Sequence, residues 1–153
     1  MIQRLLRDQQ FARVVGFDTT FRSLEIATDR LHLHDMAPRM RERVDFLHGS
    51  LTYRDPRLEG YDAAALVEVI EHVDPSRLPT LERVVFEYAR PASVVVTTPN
   101  ADYNLRFERL PAGAFRHADH RFEWTRAEFA AWATGVAKRR AYSVVFETVG
   151  PMD

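Results

Sequence analysis

Two rhythms of hydrophobic and polar positions alternate along the chain. Val14-Val15-Gly16-Phe17-Asp18, Val44-Asp45-Phe46-Leu47-His48, Tyr61 to Val67, Ser93 to Thr98 and Tyr142 to Val149 are short apolar or β-branched runs, and they predict strands. Between them apolar residues recur at helical spacing. Ile2, Leu5 and Leu6 open a helix toward Phe11, and Leu24, Ile26 and Leu31 mark another over Arg22 to Leu33. Leu78, Leu81, Val84 and Val85 share one side of a helix over Pro75 to Tyr88, with Pro75 near its start. Thr125 with Glu128 forms a capping-box signature for a last helix whose inner face is Phe129, Trp132, Ala133 and Val136. Tyr53 to Gly60 reads as a polar loop, and Ala101 to Glu123 shows no period. Strands alternating with helices predict one α/β domain over residues 1–153, doubly wound around a mainly parallel sheet. Ligands in such folds sit beyond the carboxyl ends of the strands, where Asp18, Gly49-Ser50, Glu68 and Asn100 fall.

Composition narrows the chemistry. Hydrophobic residues are 46% and charged residues 28% of 153, enough for one cored domain. A net charge of −1 leaves nucleic-acid binding to a local patch. The absence of cysteine removes disulfide and thiolate chemistry and makes a cytoplasmic setting the default. No apolar run reaches the roughly 20 residues of a membrane span, and Met1-Ile2-Gln3-Arg4 does not open a signal peptide, so no membrane partner is expected.

Chemistry concentrates in two places. Val67-Glu68-Val69-Ile70-Glu71-His72-Val73 closes the third strand. If a helix begins there, Glu68, Glu71 and His72 share one face, and their oxygen and nitrogen donors suit a divalent ion. A solvated first helical turn explains the same acidic residues. The spacing also differs from zinc-protease helices, whose histidines flank the glutamate. The second place is Arg116-His117-Ala118-Asp119-His120-Arg121-Phe122-Glu123-Trp124, a loop able to add an imidazole. Around it Arg106, Arg109, Arg116, Arg121 and Arg126 interleave with Tyr103, Phe107, Phe115 and Phe122. Guanidinium groups for phosphate and rings for stacking suit an RNA end; a solvated loop with anchoring aromatics fits the pattern too. Asp18 is placed to accept from a ribose diol or, alternatively, to cap the next helix. Thr97-Thr98-Pro99-Asn100 is either a loop beside a methyl acceptor or a plain turn ending a strand.

EVIEH, TTPNADYN and RHADHRFEWTR together resemble the Hua-enhancer (HEN-type) family of RNA 3′-terminal 2′-O-methyltransferases, over about Leu5 to Gly150. The resemblance implies a class I, Rossmann-like methyltransferase fold, S-adenosylmethionine as donor and a divalent metal, Mg2+ or Mn2+. It places metal ligands at Glu68, Glu71, His72 and His120, Asp18 on the cofactor ribose, and Ser50-Leu51 beside the adenine. Asn100, Arg116 and Arg121 are the RNA-contacting candidates. Four ligands leave about two positions of an octahedral shell, enough for a vicinal diol, which only the 3′ terminus of RNA offers. Bacterial members of the family carry a further domain and work with a polynucleotide kinase–phosphatase in RNA repair, a partnership implied by resemblance alone. One departure stands out. The six glycines form no GxG cluster, so the first strand and glycine-rich turn of the fold are expected to be missing, with cofactor binding weakened. Two other readings remain: a metal-dependent hydrolase using the same ligands on water, and a non-catalytic RNA-end binding module.

Overall fold

The computed structural model describes residues 1–106, 110–111 and 113–149. The chain divides into two compact units, Met1–Tyr53 and Arg54–Asp153.

In the first unit, helix α1 (Ile2–Arg7) leads to strand β1 (Val14–Asp18), helix α2 (Phe21–Arg30), a short helix α3 (Pro38–Arg41) and strand β2 (Val44–His48). β1 and β2 pair in parallel, with Val14 opposite Val44 and Asp18 opposite His48. Leu6, Val14, Leu33 and Val44 are buried together, with Phe11, Met36 and Phe46 packed against them. Gly16 is required by this packing, because a Cβ there would lie 2.5 Å from the Phe46 ring. α1 stops well before Phe11: Asp8 is extended, and its N–H donates to the Leu5 carbonyl.

The second unit runs through strand β3 (Ala63–Val67), helix α4 (Leu78–Arg83), strand β4 (Ser93–Thr97) and helix α5 (Arg126–Arg140). β3 and β4 pair in parallel, Ala63 opposite Ser93 and Val67 opposite Thr97. α4 does not continue regularly to Tyr88. It widens into a π-type turn over Val84–Ala89, closed by Arg90 at φ 45° donating to the Val85 carbonyl. Its inner residues Leu78, Leu81, Val84, Val85 and Phe86 are buried, as are Val136 and Ala137 of α5. The capping box on α5 is present: Thr125 and Glu128 each accept from the other's backbone. Glu82 anchors this pair of helices from α4, accepting from the Trp132 indole at 3.0 Å and from Arg139 at 2.8 Å.

One predicted strand is absent. Tyr142 to Val149 is irregular, with Val145 and Phe146 exposed, so its β-branched residues have no ladder to join. Among the described residues no helix is long and apolar enough to cross a membrane.

Candidate metal centre

The centre is built where β3 ends. Glu68 continues the pairing by one residue, its N–H donating to the Thr97 carbonyl at 3.1 Å, and then turns at φ 54°. That left-handed backbone costs a residue with a Cβ about 1 kcal/mol or more, and it ends the strand abruptly. A single 3-10 turn follows over Ile70–His72. The expectation of a helical face carrying Glu68, Glu71 and His72 is therefore corrected: the turn begins after Glu68, and its tighter winding replaces the i, i+4 spacing.

Within that turn Ile70 is driven fully into the core, and Glu71 goes with it at 0% exposure. The Glu71 Oε2 accepts from the Thr98 hydroxyl at 2.9 Å, while its Oε1 is buried with no hydrogen-bond partner. Burial pushes this carboxyl's pKa up, and the neighbouring Glu68 charge adds to the rise; its backbone hydrogen bond, Thr98 and His72 oppose it without cancelling it. Glu68 itself is exposed and accepts from the Thr97 hydroxyl at 3.0 Å.

The second motif reaches the same place. The Arg121 N–H donates to the Glu71 carbonyl at 2.7 Å, fastening the loop to the turn. A parallel bridge between Asn100 and Trp124, with Ala101 N–H donating to the Trp124 carbonyl at 2.8 Å, holds the loop's end against the end of β4. Phe122 is buried and stacks on Trp124 at 4.2 Å between centroids. It is a core anchor, so its expected place among rings open to RNA is corrected. The loop thereby sets His120 edge-on to His72 at 4.9 Å between ring centroids, with His117 5.6 Å from His120.

Glu71, His72 and His120 can each present a donor atom within 4.8 Å of the others. A buried carboxylate oxygen lacking any partner beside two imidazoles is what a metal ion satisfies, so these residues fit a divalent cation. Behind them lies Glu123, whose Oε1 accepts from His120 Nδ1 and from the Arg116 N–H, both at 2.6 Å, and whose Oε2 accepts from Asn104 Nδ2 at 2.6 Å. Burial alone would raise its pKa, but the bonds from Asn104, His120 and the Arg116 backbone outweigh that and hold it below the usual glutamate range.

Comparisons with known proteins place this geometry in a family. No family model matches the sequence. A small RNA 2′-O-methyltransferase of Rattus norvegicus is 41% identical over 138 residues, 83% of this chain and 34% of the relative. The chain thus spans about a third of the length of the curated relatives it matches. The crystal structure of the methyltransferase domain of bacterial CtHen1-CN is 43% identical, covers 99% of this chain and 76% of that one, and superposes with a TM-score of 0.88. The CtHen1-C form is 45% identical over the same 99%, with a TM-score of 0.87. The chain belongs to the HEN1 methyltransferase family. Its fold is accordingly the Rossmann-like α/β class of S-adenosylmethionine-dependent methyltransferases, here with parallel strand pairs.

Within this HEN1 domain the candidate residues fall out unevenly. Glu71, His72 and His120 are brought together, whereas Glu68 is not part of that donor set and is tied to Thr97. In the first unit, the Asp18 Oδ1 accepts from the Thr20 N–H and hydroxyl at 2.8 and 3.0 Å, while Thr20 caps α2. Ser50 and Leu51 lie in the turn after β2, where the Ser50 hydroxyl meets that of Thr52 at 2.9 Å. The Arg116 guanidinium is committed internally, to the Asn104 side chain at 2.6 Å and to the Asn100 carbonyl. The Arg121 side chain is exposed, Arg106 lies over the Tyr103 ring, and Phe107 and Arg109 lie outside the described residues. The sequence patterns mark Thr97 and Thr98 only as a strand-end loop, not as partners of Glu68 and Glu71, and they give Asn104 and Glu123 no role. The signal for Glu123 was its position three residues after His120 inside RHADHRFEW.

Proposed function

We propose that this chain transfers a methyl group from S-adenosylmethionine to the 2′-hydroxyl of the 3′-terminal nucleotide of RNA, with a divalent metal at Glu71, His72 and His120. One observation carries the reading: Glu71, His72 and His120 bring donor atoms within 4.8 Å of one another, and the Glu71 carboxylate among them has a buried oxygen with no hydrogen-bond partner, in a chain of the HEN1 family. Glu68, which lies outside the three-donor cluster, is the fourth ligand we assign, on the match of EVIEH to the family's motif. When bound, the ion supplies Lewis-acid polarisation and a mount for a vicinal diol, and the sulfonium cofactor supplies an electrophilic methyl group.

The chain's own residues do the rest. Thr97 and Thr98 hold the two carboxylates by one hydroxyl each, so both face a fixed direction before any ligand arrives. The Arg121 N–H keeps the loop imidazole at the turn. Asp18 accepts from the ribose of the cofactor, and Ser50 with Leu51 flanks its adenine. Asn100 and the exposed Arg121 contact the RNA, whereas Arg116 shapes the loop from within. Mn2+ suits the two imidazole nitrogens better than Mg2+ does.

The test uses methyl-labelled S-adenosylmethionine, Mn2+ and three oligoribonucleotides ending in a 2′,3′-diol, a 3′-deoxy sugar or a 2′-deoxy sugar. Label is expected on the diol end only, and chelation should abolish it. Label on internal riboses, or undiminished turnover in chelator, overturns the proposal.

A further inference from the structure

We infer that Glu123 is a positioning residue that fixes the His120 ring in the tautomer and orientation needed to ligate the metal. The inference rests on the metal reading above and extends it to a side chain that touches neither ion nor substrate.

The argument follows hydrogen-bond polarity inward from an arginine. A guanidinium can only donate. The Arg116 Nε therefore donates to Asn104 at 2.6 Å, which makes the atom it meets the amide oxygen and turns the Asn104 NH2 toward Glu123. The Glu123 Oε2 thus receives a donor, and its Oε1 receives the Arg116 backbone N–H, which also can only donate. With both oxygens already accepting, the contact at 2.6 Å from His120 to Oε1 is completed with the hydrogen on His120 Nδ1. A neutral imidazole protonated at Nδ1 carries its lone pair on Nε2. That is the nitrogen left to complete the donor set with Glu71 and His72.

The arrangement is tightly held. The Glu123 side chain is 1% exposed and that of His120 8%, so neither exchanges this contact for water. The partners come from two separate stretches: the 3-10 turn Ala101–Arg106 supplies Asn104, and the loop supplies Arg116 and His120. Carboxylate partners behind metal-bound histidines change metal affinity by about 10–100-fold when removed. Glutamine cannot replace Glu123, because its NH2 would have to face one of three donors.

The experiment measures two things on the same protein. First, the long-range 1H–15N spectrum of the metal-free chain reports the tautomer of His120; the Nδ1–H form is expected in the wild type and a mixture in Glu123→Gln. Second, calorimetry with Mn2+ alone compares wild type, Glu123→Gln and Asn104→Ala. Glu123→Gln is expected to bind about 10–100-fold more weakly and Asn104→Ala a few-fold more weakly, with unchanged circular dichroism. If Glu123→Gln fails to fold, the wild-type tautomer and Asn104→Ala still decide. A wild-type His120 in the Nε2–H form, or a Glu123→Gln that binds within about twofold of wild type, overturns the inference. Wild type that shows the Nδ1–H tautomer and yet takes no Mn2+ refutes the metal reading while leaving the tautomer assignment intact.

Discussion

Two buried glutamates in the second unit have opposite surroundings. Glu71 has a single side-chain donor in Thr98, an oxygen with no partner, and a pKa raised chiefly by burial. Glu123 has three short hydrogen bonds from Asn104, Arg116 and His120, and a pKa lowered although burial works against it. A carboxylate short of donors is costly when ionised and gains most from a cation; one saturated with donors is already stable as an anion and holds its neighbours still. On the reading proposed above, one would be a ligand and the other scaffold, although both are glutamates beside a histidine.

The comparison can be broken by experiment. The largest expected effect is on ion binding: Glu71→Gln should weaken Mn2+ by more than about 100-fold, beyond the range for an indirect partner, as read by calorimetry. Methyl transfer should fall with it. Next, Glu123→Ala should lower unfolding free energy by about 3 kcal/mol in chemical denaturation, since three buried donors lose their acceptor. The metal-free Glu71→Gln variant should move the other way, gaining about 1 kcal/mol near neutral pH, because a partnerless buried anion is removed. A loss instead would show that Glu71 is structural.

Stability against pH separates the pair further. Glu71 has a raised folded pKa, so as pH climbs from its ordinary 4.5 the unfolded chain loses the proton first and wild-type stability falls through that window. Glu123 has a depressed folded pKa, so its contribution is complete above 4.5 and is lost as pH falls through the folded value. Metal-free Glu71→Gln should therefore keep the acid-side loss while shedding the decline above 4.5, measured by thermal melts across pH. The smallest effect is a control. Thr125→Ala should cost about 1 kcal/mol by uncapping α5, and it should leave Mn2+ affinity unchanged, showing that lost stability alone does not weaken the site.

The sequence was most informative where structure is local. Val14–Asp18 and Val44–His48 are strands over the predicted bounds, and the α5 capping box is written in Thr125 and Glu128. It was least informative where a neighbour decides. Tyr142 to Val149 has a strand's residues, but forming a strand depends on a partner edge that composition cannot reveal. The widened turn at Val84–Ala89 leaves the apolar face of α4 unchanged, so the pattern gave no warning. At the candidate site the meeting of Glu71, His72 and His120 was legible because oxygen and nitrogen donors clustered in EVIEH and RHADH. The support was not. Glu123 draws its donors from residues 104, 116 and 120, and Thr98 meets Glu71 across 27 positions, distances no local period records.

The backbone at Glu68 has a practical consequence for protein engineering. Its φ of 54° suits glycine or asparagine, so a library screened for heat resistance alone should enrich Glu68→Gly and raise the melting point. Such winners would have exchanged the acidic group next to Glu71 for an easier bend, and stabilisation campaigns on this domain should hold that codon fixed.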